Sequence, residues 1–368
     1  MTEHQQQPLD VAASRVVQRA FGEENRRRLL DRYFASSGAV NPATAWQHIY
    51  RLLLWADPTT GLAHCYESDK CQPGRPWYAR SLAFHTWVAR ALGTTADRLG
   101  AEVDLLFKWA TDDLAAAAAA RRAAHATEAE RQRAVYAGQR LPLPGEDPDL
   151  VDLIVSSLES WLQGEPPAEV MRDLTEKVRA HVSQENKRKN LVGEGFEDTL
   201  GAIMSRIPEV NDRYDIRVRP WLHDLPGFYE PRGGEKPRQV DLAFVRRSDS
   251  YRTLVTCKWS VRSDREEQFM TDFEAYSRLE SAGQAFDYTL VTNEFDPARL
   301  AAACENRRGV NLLFSSVVHV NTDGVEAAYS APVPSRGRGI GRTREHLNAG
   351  RLASMGSWLE GLAASATP

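Results

Sequence analysis

The apolar residues of this chain change their spacing once, and that change limits the fold more than any other feature. From about Asp10 to Gln139 they recur at helical intervals. The segment Val11 to Phe34 sets Val16, Val17, Phe21, Leu29, Leu30 and Phe34 on one stripe and turns Arg26 to Arg28 outward. Further helices are expected over Ala45 to Trp55, Arg80 to Leu92 and Thr95 to Tyr136, the run Ala115 to Ala120 lying inside the last because alanine is the best helix former. Three prolines and a glycine within the eight residues Leu141-Pro-Leu-Pro-Gly-Glu-Asp-Pro end that pattern, since proline removes an amide donor and clashes with the preceding turn. Helices are expected again at Pro148 to Leu162, Pro167 to Lys189 and Leu191 to Arg206. Beyond residue 210 the apolar runs shorten to strand length at Tyr214 to Val218, Gln239 to Val245, Arg252 to Cys257, Phe286 to Thr292 and Asn311 to Phe314. Helices fall between them at Asp264 to Ser281 and Pro297 to Glu305. The expectation is an all-helical N-terminal domain, residues 1–145, followed by residues 146–368 as an α/β (α+β) domain whose mixed sheet is flanked by helices.

At 368 residues, with 42% hydrophobic and 26% charged side chains, the chain has enough apolar surface for a core and no general tendency to disorder. The net charge of -4 carries no overall basic signature, so any polyanion must be held by local positive potential. Cys65, Cys71, Cys257 and Cys304 lack the spacing of a zinc site and are too few for a disulfide framework, which fits reduced thiols in a cytoplasmic protein. The opening MTEHQQQPLD lacks the basic and apolar regions of a signal peptide, and no apolar run is long enough for a membrane span. The tail SRGRGIGRTR, Ser335 to Arg344, reads as a mobile basic loop, either a solvated linker or a phosphate contact, ahead of a last helix near Arg351 to Leu362. The tryptophans Trp46, Trp55, Trp77, Trp87 and Trp109 are expected to fill the helical core.

Two charged residues sit where strands end. Asp241 opens the run Val240 to Val245, and Lys258 closes the next, so a turn over Arg246 to Tyr251 brings them side by side at one end of a sheet. Carboxylates that hold a divalent cation and an amine that steadies developing charge are what phosphodiester hydrolysis requires. Taken alone, Lys258 is also compatible with a simple edge charge. An acid two residues before the lysine would complete the usual nuclease pattern, and that position holds Thr256.

The segment that follows, Cys257-Lys-Trp-Ser-Val-Arg-Ser-Asp-Arg-Glu-Glu-Gln, resembles the Lys-x-Ser-x-Arg-x-Asp-Arg signature of the CCGG-recognising type II restriction endonucleases, within the PD-(D/E)XK superfamily. In that family the missing strand acid is replaced from the following helix, which implies Asp272, with Glu274 as the fallback. Two residues subtend roughly 200 degrees on a helix, so only one of the two faces the site. The family's further acid lies in a Gly-x-x-Phe-Glu context, which Gly193-Glu-Gly-Phe-Glu matches with Glu197, Glu194 being its neighbour round the helix. The resemblance implies Mg2+ held by Asp241, Asp272 and Glu197, with Lys258 as the catalytic amine. It also implies that Arg262, Asp264 and Arg265 read C:G pairs, since arginine donates two bonds to guanine and aspartate accepts from cytosine. Asp264 is equally suited to cap a helix, and Ser260 to orient this loop or touch a phosphate. Lys187 and Lys189, ahead of Glu197, are candidate phosphate contacts or members of a solvated face. The implied activity is cleavage of double-stranded DNA at a palindrome with a CCGG core, leaving 5' overhangs, by a homodimer or homotetramer. The alternatives are a methylation-dependent or repair nuclease of the same superfamily, and a DNA-binding regulator that has lost catalysis. The helical N-terminal part is left with flanking-base contact, oligomerisation or sensing of a modified base.

Overall fold

The computed structural model describes residues 20–66, 68–75, 77–138, 155–156, 170, 174, 187–188, 191–231, 236–261, 266–330 and 338–364. The helices expected at Pro148 to Leu162 and Pro167 to Lys189 lie largely outside them. By compactness the chain divides into two units, Met1–Asn25 with Trp109–Leu191, and Arg26–Lys108 with Val192–Pro368. The expected border near residue 145 is thus not where the compact units part: residues 26–108 go with the sheet. Local periodicity carries no information on which core a helix joins, and here the aromatic faces of the early helices decide it.

The helices of the larger unit begin with α1 (Glu23–Ser36), α2 (Ala45–Leu53) and α3 (Tyr78–Ala91). A long helix, α4 (Leu105–Ala134), follows a break at Asp104, whose φ of 61° no helix tolerates, and from Trp109 onward it belongs to the other compact unit. Residues 191–204 form α5. A six-stranded mixed sheet then runs β1 (Tyr214–Val218), β2 (Leu242–Arg246), β3 (Arg252–Lys258), β4 (Asp287–Thr292), β7 (Ser316–His319) and β8 (Leu352–Ser354) in spatial order; β5 (Arg307–Arg308) and β6 (Asn311–Leu312) form a separate small hairpin. The first three strands pair antiparallel and the rest parallel. Helices α6 (Glu266–Leu279), α7 (Pro297–Glu305), α8 (Thr322–Tyr329), α9 (Arg338–Asn348) and α10 (Met355–Ala364) supply the crossovers and flanks. This is the mixed α/β architecture expected. Parallel neighbours need crossovers, and the near-continuous apolar runs of β3 and β4 match strands covered on both faces.

The tryptophan-rich helices pack on this sheet unit. The Phe84 ring meets Phe295 edge to face at 4.7 Å, and the Tyr50 hydroxyl donates to Asn293 Oδ1 at 2.9 Å. At Gly324 a Cβ would come within 2.8 Å of the Trp87 ring, so α8 and α3 approach as closely as they do because that side chain is absent.

Three local expectations are corrected. Arg26 does not face outward but is buried, with Nε on Asp198 Oδ2 at 2.5 Å and Nη2 on Glu194 at 2.7 Å. The basic tail is no loop from Arg338 onward: it is α9, where Arg342 and His346 both bond Glu305 and Arg344 bonds Glu326, so acids of the same unit neutralise its charge. Asn311–Phe314 contributes only to the small hairpin, while β7 and β8 take the sheet positions. Among the described residues no helix is long and apolar enough to cross a membrane.

Candidate active site

Two short antiparallel strands joined by a tight turn set the centre of the site. Arg246 N–H donates to Tyr251 O at 2.8 Å, and Ser250 takes a left-handed φ of 60° to close the turn. The ladder continues past the ends of β1 and β2, with Arg219 N–H donating to Asp241 O at 3.0 Å. Asp241 therefore lies one residue before β2 and beside the last three residues of β3. Its Oδ2 accepts from Lys258 Nζ at 2.7 Å, from the Cys257 amide at 2.8 Å and from the Thr256 hydroxyl at 3.2 Å. Thr256, standing where an acid was looked for, is thus a donor to the neighbouring acid. Burial works against the Lys258 charge, but the Asp241 carboxylate outweighs it and raises the ammonium pKa.

Helix α5 brings the second acid. Phe196, Leu200, Ile203 and Met204 are buried on its inner stripe, and Phe196 meets Trp259, next to Lys258, edge to face at 5.3 Å. At Gly201 a Cβ would collide with Val218, so only glycine lets the helix lie this close to β1. Glu197 is carried beside Phe196 into the site, its side chain only 11% exposed, whereas that of Glu194 is 57% exposed and turns to Arg26. Burial first, and the Asp241 charge second, push the Glu197 carboxyl up to about 7, against the pull of Arg219. Arg219 itself, in left-handed backbone at φ 51°, bonds Glu197 at 3.1 Å and Asp198 at 2.5 Å. No motif pointed to Arg219; its position just after β1 was the only signal.

The third acid comes from α6. Phe269, Asp272 and Tyr276 share a face at helical spacing, and the buried Phe269 and Tyr276 turn that face inward. Asp272 is half-buried beside Arg238 Nη1 at 3.3 Å. Burial raises its pKa and the Asp241 charge adds to that, while Arg238 and Lys258 oppose. Glu274 is exposed on the other side of the helix. The structure thus brings Asp241, Lys258, Glu197 and Asp272 into mutual electrostatic range and leaves Glu274 out.

The segment after β3 is anchored from the far side. Glu294 is buried just past β4, and its Oε2 accepts from the Ser260 hydroxyl at 3.0 Å and the Val261 amide at 2.8 Å. Its Oε1 takes the amides of Phe295 and Asp296 at 2.9 and 2.7 Å. Ser260 therefore orients the loop through Glu294, a residue with no sequence signal beyond its place at a strand end. Arg262, Asp264 and Arg265 lie outside the described residues, as does Lys189. Lys187 belongs to the other compact unit, where partial burial lowers its pKa.

As a donor set, three carboxylates suit a hard divalent cation such as magnesium. Each now rests on its own cation, Asp241 on Lys258, Glu197 on Arg219 and Asp272 on Arg238. Among the described residues, no three His, Cys, Asp or Glu side chains converge into a group that would hold an ion as placed. The raised proton affinities of Glu197 and Asp272 come first from burial, with the Asp241 charge adding to it. No protein-family model matches the chain, and no curated protein matches it either.

Proposed function

We propose that the protein is a type II restriction endonuclease that hydrolyses double-stranded DNA with Mg2+, at a palindrome built on CCGG and with 5' overhangs. One observation carries the reading: Lys258 Nζ sits 2.7 Å from Asp241 Oδ2 at the mouth of two adjacent strands, with Glu197 and Asp272 acting electrostatically on the same pair. Magnesium, held by Asp241, Asp272 and Glu197, would supply Lewis acidity toward the scissile phosphate and lower the pKa of a bound water. Asp241 keeps the lysine charged and aimed. Lys258 orients the attacking water and offsets the charge that grows on the phosphate. Glu197, whose carboxyl burial pushes up to about 7, gives up its proton readily when it takes its place as a ligand. Arg219 and Arg238 hold the two outer acids apart until the site is loaded. In this reading Arg262, Asp264 and Arg265 read the C:G pairs, and a two-fold dimer, or a tetramer made of two such dimers, meets the palindrome.

A second reading, a DNA-binding regulator without catalysis, is favoured by Thr256 in the acid position and by its hydrogen bond to Asp241. The test is digestion of plasmid DNA bearing CCGG sites, with and without methylation, in Mg2+, alongside a binding assay and light scattering. Discrete fragments with 5' overhangs support the endonuclease. Tight site-specific binding without cleavage selects the regulator, and cutting of methylated DNA alone selects a methylation-dependent nuclease. Neither binding nor cleavage sinks all three.

A further inference from the structure

A second cluster of ionisable groups lies away from this site, in the residues between α2 and α3. An isolated bridge pairs Ala56 with Ala63, and the turn Thr59-Thr60-Gly61 closes it, Gly61 taking a left-handed φ of 68°. That ribbon faces Asp57 toward His64: the imidazole Nε2 is 2.8 Å from Asp57 Oδ2, and Nδ1 is 2.8 Å from the carbonyl oxygen of Tyr66. Both partners are acceptors only, so both ring nitrogens must donate and His64 is an imidazolium. The Trp55 ring stacks on it at 4.5 Å and 13°, a geometry that suits a cation. The side chains of His64 and Asp57 are only 9% and 4% exposed, so the pair is out of water.

Two thiols complete the group. The Ser81 hydroxyl donates to Cys71 Sγ at 2.9 Å and lies 3.3 Å from Cys65 Sγ, and the thiols are hydrogen-bonded to one another. Both cysteines are free and buried. Cys71 accepts from Ser81 and Cys65 and lies beside the imidazolium, which is the environment of a thiolate. The bond from Cys65, followed by His64 and Ser81, pulls Cys71 down to about 5 despite its burial, while burial first and then Cys71 itself keep Cys65 protonated. Cys257 and Cys304 have no such company: burial raises both.

We infer that Cys71 and Cys65 form a hydroperoxide-reactive dithiol, in which Cys71 is the attacking sulfur and Cys65 the resolving one. The Cys71 thiolate attacks one peroxide oxygen and the O–O bond breaks. The leaving oxygen takes a proton from water and departs as water or an alcohol, so Cys71 becomes a sulfenic acid, while the His64 charge steadies the thiolate before it attacks. The Cys65 sulfur then attacks the Cys71 sulfur, the S–O bond breaks, and hydroxide leaves with the Cys65 proton as water. Two thiols are oxidised by two electrons, and the hydroperoxide is reduced by two. Lys70, just before Cys71, pairs with Asp296 at 3.7 Å, in the same short segment that Glu294 grips. The site stands on its own geometry and does not depend on the nuclease reading.

The experiment uses the whole protein, reduced, freed of reductant and treated with a few equivalents of hydrogen peroxide. Samples are alkylated at intervals and mapped by peptide mass spectrometry. The expected product is a Cys65–Cys71 disulfide that forms at least about 10-fold faster than any oxidation of Cys257 or Cys304. In Cys65→Ser, the sulfenic acid on Cys71 should persist long enough for capture by a cyclic 1,3-dione. Oxidation spread evenly over the four cysteines, or Cys71 driven to sulfinic acid while Cys65 stays free in the unsubstituted protein, overturns the proposal. The unsubstituted time course decides the matter even where Cys65→Ser fails to fold.

Discussion

At the end of the sheet, three acids share one neighbourhood and burial pushes two of them up; between α2 and α3, one acid and one thiol flank a histidine, and the thiol is pulled down. Both clusters are largely out of water, and burial pushes Glu197 and Asp272 up. At Cys71 hydrogen-bond donors outweigh it. Glu197 and Asp272 both feel the Asp241 charge, and their cations, Arg219 and Arg238, stand on their outer sides. In the second cluster donors surround the anions: Cys65, His64 and Ser81 bond Cys71, and Thr59 and His64 bond Asp57. In the first cluster neighbouring acids oppose one another's ionisation, whereas in the second the neighbours of Cys71 favour its thiolate.

Removing the lysine that Asp241 holds in the first cluster should have the largest effect. Lys258→Ala is expected to slow DNA cleavage by about 10³-fold, roughly 4 kcal/mol of barrier, with site-specific binding retained. A variant that still cuts at near the original rate takes Lys258 out of the mechanism. The corresponding break in the second cluster is Asp57→Asn, which strips a buried imidazolium of its carboxylate. A loss of about 3 kcal/mol is expected in urea unfolding, and an unchanged midpoint would mean that His64 is neutral.

The two clusters also predict opposite responses to pH. The folded protein holds a proton on Glu197 that the unfolded chain has released, so this group costs stability as pH rises from about 4.5 to about 7, and the cost stays above that. Cys71 is the reverse: the folded protein has released a proton that the unfolded chain keeps, so stability is gained from about 5 up to 9.0 and is absent below that range. Metal-free Glu197→Gln should therefore gain on the parent in thermal melts as pH rises toward 7, by about 2 kcal/mol. Cys71→Ser, under reductant, should lose ground over the same interval. Parallel curves for either variant break the comparison.

The smallest effect separates two neighbours. Asp272→Asn should weaken magnesium-dependent cleavage by at least about 10-fold. Glu274→Gln, a change on an exposed face, should alter it by less than about 0.5 kcal/mol. The reverse order in a magnesium titration would move the helix ligand to Glu274.

Much of this was legible in the linear chain, because it rests on local rules. Strands β1 to β4 announce themselves as short apolar runs, and α7 begins where Asp296 caps a helix with proline in its first turn. The nearness of Asp241 and Lys258 follows from two strands joined by a short turn. Strands β7 and β8 were missed because each is only a few residues long and gains its stability from parallel partners distant in sequence. Arg26 has the spacing of a surface residue and is nevertheless buried, since Asp198 compensates its charge from far along the chain.

Periodicity, turn chemistry and spacing thus determined by themselves that this is a mixed α/β protein and that Asp241 and Lys258 end adjacent strands, while Glu197 and Asp272 were named only by the resemblance to a nuclease family. Only the tertiary structure decided which helices share the sheet's core, that Asp272 and not Glu274 faces the site, and that Asp57, His64, Cys65 and Cys71 form one group. The physical reason is common to all three. Burial and charge pairing act through space between segments far apart in the chain, and a local pattern specifies which face of an element is apolar but not what that face will meet.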